Sequence, residues 1–154
     1  MANITLISTS GSGFVKTDFD QMKEVLEEGT KDINPSGINN SFTAGENLSS
    51  GDLCYLKDDG KMWKADADAE ATADTLLALS TATISADATG VFLLFGKYTT
   101  SGLTAGAVQY VDTTAGAITE TKPSGTGDIV RIVGYALSTT ILFFDTDKTY
   151  IEVA

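Results

Sequence analysis

Leu48-Ser49-Ser50-Gly51-Asp52-Leu53-Cys54-Tyr55-Leu56 aligns without a gap on Leu103-Thr104-Ala105-Gly106-Ala107-Val108-Gln109-Tyr110-Val111. The shared pattern is Leu-x-x-Gly-x-apolar-x-Tyr-apolar: a turn glycine, then an apolar run of strand length. A second pair of blocks follows in the same order, Ala78-Leu79-Ser80-Thr81 and Ala136-Leu137-Ser138-Thr139, each leading into an apolar strand. The repetition predicts a duplicated β unit, one half over about 48–100 and the other over about 103–154. Between 53–56 and 62–64 stands Lys57-Asp58-Asp59-Gly60-Lys61, an Asp-Gly turn that makes the pair a hairpin. Further strands are expected at 75–83, 91–99, 107–111, 117–121, 129–137, 141–144 and 150–153. The expected fold is therefore mainly β, a compact barrel or sandwich of two similar halves, with 41–154 as the β head.

Residues 1–40 read differently. Thr17 can cap a helix over 17–29, with Asp18 and Asp20 at its positive end and Gly29 as its stop. Phe19, Met22 and Leu26 fall on one stripe with Val25 beside it. A helix this short is marginal alone. The stripe therefore packs on the chain's own core or associates with neighbouring copies. Residues 31–40, with Ile33 and Ile38, are turn-rich and read as a linker or as an extended arm lying on a partner. These forty residues form a candidate anchor segment.

Composition narrows the function. The chain has 154 residues, 21 acidic against 10 basic, a net charge of -11, no histidine and one cysteine. Its single arginine and its acidity leave no footprint for nucleic acid and disfavour an anionic membrane. Without histidine there is no Ser-His-Asp or Cys-His machinery, and one cysteine permits neither an internal disulfide nor a thiolate zinc cluster. The opening residues carry no basic region or long apolar run, so synthesis in a reducing cytoplasm is expected.

Each candidate site has a plainer explanation. Asp66, Asp68 and Glu70 alternate like the start of a calcium loop, but the sixth and twelfth positions hold Ala71 and Leu77 instead of Gly and Glu. Residues 66–71 are read as a helical turn or a solvated loop, with the loop preferred. Gly11-Ser12-Gly13 and Gly125-Thr126-Gly127 are too short to cradle a phosphate. Carboxylates are plentiful, yet no spacing nominates a catalytic pair. Cys54 reads as a buried structural thiol. Tyr55 and Trp63 read as core or interface residues before sugar platforms. No catalytic, cofactor-binding or metal-ligating residue is assigned, and the chain is not expected to be an enzyme.

Residues 51–72, GDLCYLKDDGKMWKADADAEAT, resemble a β module of tailed-bacteriophage virion proteins. The resemblance continues through LTAG at 103–106, AGAIT at 115–119, PSGTGDIVRIVGYAL at 123–137 and YIEVA at 150–154. Such modules occur in capsid decoration proteins, head fibres and fibre tips. Phe14, the helix from Thr17, and residues 29–34 are similar to the particle-proximal end of some phage fibres. No long shaft follows here, which fits a short protein on a surface. The resemblance implies a homotrimeric decoration protein or short head fibre on the outer capsid of the virion. Its partners would be further copies, the major capsid protein and the host surface. Phe14, Phe19, Met22, Val25, Leu26, Ile33 and Ile38 would be its contact residues. The alternative is a tail-fibre or spike tip that binds a host glycan or protein.

Overall fold

The Asp-Gly turn does what its chemistry predicts. In the computed structural model, which describes residues 36–154, Gly60 takes φ 77°. The Gly60 amide donates to the Lys57 carbonyl at 3.0 Å, and the Lys61 amide donates to Asp59 Oδ1 at 2.9 Å. This turn joins strands β2 (Leu53–Leu56) and β3 (Lys61–Lys64). β4 (Leu77–Ser80) pairs antiparallel with β2, and β5 (Thr89–Thr99) pairs antiparallel with β4. β1 (Ser36–Ala44) then pairs with both ends of this set, parallel to β3 and antiparallel to β5. The circuit β1-β3-β2-β4-β5-β1 is a closed five-stranded barrel.

The second half is built from β6 (Val108–Val111), β7 (Ile118–Thr119), β9 (Ile132–Ala136) and β10 (Ile141–Phe144). Its order, β7-β6-β9-β10, repeats β3-β2-β4-β5, and the halves join where β10 pairs with the far end of β5. β8 (Ile129–Val130) and β11 (Ile151–Glu152) form a separate two-stranded ribbon.

The repeat can be tested bond by bond. Gly51 and Gly106 both have left-handed φ, 90° and 84°. The Gly51 amide donates to the Ser80 carbonyl at 2.8 Å, and that of Gly106 donates to Ala136 at 2.7 Å. Ser80 and Ala136 in turn donate to the carbonyls of Asp52 and Ala107. The first block of the repeat thus has the register that the sequence alignment gave it. The second does not: Ser80 is equivalent to Ala136, two residues away from Ser138. A two-residue slip keeps every side chain on its face, so apolar patterning cannot detect it.

Two cores result. Inside the barrel lie Ala44, Leu48, Cys54, Met62, Ala78, Ile84 and Phe92, with Phe42, Leu56 and Leu94 at their margin. Between the barrel wall and the second half lie Leu53, Leu77, Leu79 and Leu93, packed on Tyr98, Val111, Val133, Leu142 and Phe144. β2 and β4 are therefore buried on both faces, which is why they read as unbroken apolar runs.

Three local expectations need correction. Residues 36–40, read as a linker or as an extended arm on a partner, are extended but lie in β1 of the chain's own barrel, where Ser36, Gly37 and Ile38 pair with Lys97, Gly96 and Phe95. Their small polar side chains hid a strand whose backbone bonds close the barrel. The strand expected at 129–137 is divided at Arg131, whose side chain turns inward to bind carbonyls from other segments. Residues 66–71 are not all loop: a single helical turn, α1 (Glu70–Ala73), begins at Glu70. The helix expected at 17–29, and with it Phe14, Phe19, Met22, Val25, Leu26 and Ile33, lies outside the described residues.

Candidate interaction surface

The cross-strand registers place a row of large side chains on one outer face. Val108 stands opposite Tyr135, and Tyr135 opposite Phe143. The Phe143 ring meets Phe95 edge to face, with centroids 5.3 Å apart, and Phe95 stands opposite Ile38. The row crosses β6, β9, β10, β5 and β1, about 19 Å at the usual strand spacing of roughly 4.8 Å. Ile38, Phe95 and Tyr135 are 62%, 42% and 44% exposed. An apolar aromatic row open to water on a folded domain is a candidate contact surface. Lys97, opposite Phe143, is the cation within it. The row itself contains no carboxylate.

Of the contact residues nominated from sequence, Ile38 is the one among the described residues, and it forms the end of this row. Phe95, Tyr135, Phe143 and Val108 were missed. Their runs, VFLLF in β5 and ILFF in β10, are apolar on both faces, and sequence alone cannot tell a strand buried twice from one that is half exposed. The usable signal was Gly96, which interrupts the β5 run where the strand changes partners.

The other candidates fall to structural roles. Cys54 is fully buried and free, its Sγ 3.5 Å from the Asp52 carbonyl. Burial first, then the charges of Asp52 and Glu46, push its thiol pKa far above the ordinary range. Trp63 donates from Nε1 to Asp59 Oδ2 at 3.1 Å, and Lys57 Nζ lies 4.8 Å from the ring centroid. Gly45 also lies against the indole, since a β carbon there would come within 2.1 Å of Cε2. With Lys57 and Gly45 on it, the ring is not an open stacking platform. The backbone amide of Lys61, and then Trp63, hold Asp59 below the usual carboxylate range.

Asp66 Oδ1 accepts from the Asp68 amide and from Thr72 Oγ1, which is turn chemistry. Glu70 accepts from the Tyr150 hydroxyl and pushes that phenol upward. Among the described residues no cluster of three or more His, Cys, Asp or Glu side chains is placed to hold a metal. Three surface hollows among the described residues measure about 280, 320 and 370 Å³. Among the described residues no helix is long and apolar enough to cross a membrane.

No protein-family model matches this chain, and no curated protein matches it either.

Proposed function

We propose that this chain is a structural protein of a tailed-bacteriophage virion, a homotrimeric capsid decoration protein or short head fibre. The residues before β1 would dock on subunits of the major capsid protein, and the β head would project outward to stabilise the shell or meet the host surface. The observation that carries this reading is the aromatic row from Val108 to Ile38, presented by a double-cored head. It is supported by the string of motifs shared with phage β modules and by an acidic chain without histidine. A surface protein present in many copies gains avidity from repeated weak contacts and needs no catalytic centre. The reading makes it no enzyme, with no cofactor and no nucleic-acid or membrane partner.

The test is placement on the particle. Antibody labelling or cryo-electron microscopy of virions should find the protein on the outer head at sites that repeat with the shell. Particles with no density on the head would end the capsid reading.

A fibre or spike tip that binds a host glycan is the second reading, and it would rest on Trp63. The Lys57 and Gly45 contacts on that indole count against it. Saturable binding to host surface polysaccharide, lost in Trp63→Ala, would reverse the order.

A further inference from the structure

The internal repeat supplies its own reference for what the outer face lacks. In the first half, Leu53, Leu79 and Leu93 form one cross-strand row, Leu53 opposite Leu79 and Leu79 opposite Leu93. The equivalent row in the second half is Val108, Tyr135 and Phe143, in the same pairing order. All three leucines are 0% exposed, because the second half of the chain packs over them. Tyr135, the counterpart of Leu79, is 44% exposed, and the row runs on through Phe95 to Ile38. The same surface of the same fold is thus covered in one half and uncovered in the other.

Charge indicates what covers it. A chain with 21 acidic and 10 basic residues repels its own copies over most of its surface. This row contains no carboxylate, and it is aromatic, the composition of interface centres. Lys97 sits directly opposite Phe143, and the hollow that Tyr135 lines also holds Asp145, Asp147 and Lys148. A face that sets an aromatic row beside both lysine and aspartate side chains can meet a copy of itself with opposite charges opposed. We propose that a second copy of this chain covers the row, Tyr135 and Phe143 at the centre, with Lys97 of each copy facing Asp145 of its neighbour. This face-to-face contact between two copies goes beyond the trimer proposed above and rests on that reading only in requiring more than one copy.

The experiment measures the association of the full chain by sedimentation equilibrium, with circular dichroism to verify the fold of each variant. The wild type should self-associate at micromolar concentration, and Tyr135→Glu should weaken association roughly a hundredfold or more. Lys97→Asp, at an exposed position, should weaken it by about tenfold, and adding Asp145→Lys should restore it. The charge pair keeps the test decisive if Tyr135→Glu fails to fold. A monomeric wild type overturns the proposal and leaves the face to a capsid subunit or a host polysaccharide. Unaltered association of folded Tyr135→Glu overturns it as well, and so does failure of the reciprocal charge swap. Particle labelling is read independently, so the virion assignment and this interface can fail separately.

Discussion

Arg131 Nη1 donates to the main-chain carbonyl of Ala73 across 2.5 Å, joining the single arginine of the chain to the last residue of α1. The same nitrogen reaches the Thr75 carbonyl at 2.7 Å, and Nε reaches that of Asp147 at 2.8 Å. One guanidinium, 5% exposed, thus fastens the α1 segment and the chain before β11 to the break between β8 and β9. Burial lowers its pKa, and the nearby charges of Asp74 and Asp147 oppose that shift. The fork geometry of arginine suits three carbonyls in different directions, which an ammonium group cannot reproduce.

Arg131→Met should therefore destabilise the head by roughly 3 kcal/mol, because it leaves buried carbonyls without donors. Arg131→Lys should recover only part of that. Urea unfolding followed by tryptophan fluorescence reads both, since Trp63 lies in the barrel wall. A loss below about 1 kcal/mol for Arg131→Met would contradict the assigned role.

Gly96 marks the point where β5 changes partners. It faces Gly37 of β1 and Phe144 of β10, and its φ is 137°. A β carbon there would sit 2.2 Å from the Ser36 carbonyl oxygen and 2.6 Å from the Gly37 α carbon, both rigid backbone. Gly60 is also left-handed, at 77°, but has nothing within 4 Å. Gly60→Ala should cost about 1 kcal/mol, the strain alone, whereas Gly96→Ala should cost about 3 kcal/mol or more. Thermal melts of the two variants side by side check the order.

Ser80 is fully buried and donates to the Ser49 carbonyl while accepting from the Asp52 amide at 3.1 Å. Its counterpart in the second half is Ala136, where the equivalent turn closes by the Ala107 amide on the Thr104 carbonyl at 2.9 Å. The backbone alone can therefore make this turn. Ser80→Ala should cost about 1 kcal/mol and leave the fold intact, as judged by far-ultraviolet circular dichroism and denaturant titration.

The Cys54 thiol should resist maleimide in the native protein and react on unfolding, with mass spectrometry as the readout. Burial holds its folded pKa above the unfolded one. Its contribution to stability is therefore complete below the ordinary thiol value of about 8.5 and is lost as pH rises above it. Cys54→Ala should remove that part of the alkaline loss. It should also cost about 1 kcal/mol at neutral pH through the space left beside Met62 and Ala78. Rapid labelling of the folded protein would contradict this placement.

Local chemistry was enough to place the β2–β3 hairpin, the Gly51 and Gly106 turns, the strand at 141–144 and the two similar halves. These depend on backbone freedom at glycine, on aspartate turn bonds and on apolar period, all of which act between residues near in sequence. The buried character of Cys54 followed from the same kind of signal. Of the candidate surface, only Ile38 was nominated beforehand.

Tertiary structure decided the rest. Residues 36–40 became strand because β5 offers them backbone partners, although apart from Ile38 their side chains carry no strand signal. Arg131 split a predicted strand because carbonyls more than fifty residues earlier in the chain, at Ala73 and Thr75, needed a donor. The exposure of Tyr135, set against the burial of Leu79 at the equivalent position, depends on which half packs over the other. A repeat encodes the same strand order twice, but covering one face with the other half is a single event. It leaves one face open, and no local pattern says which.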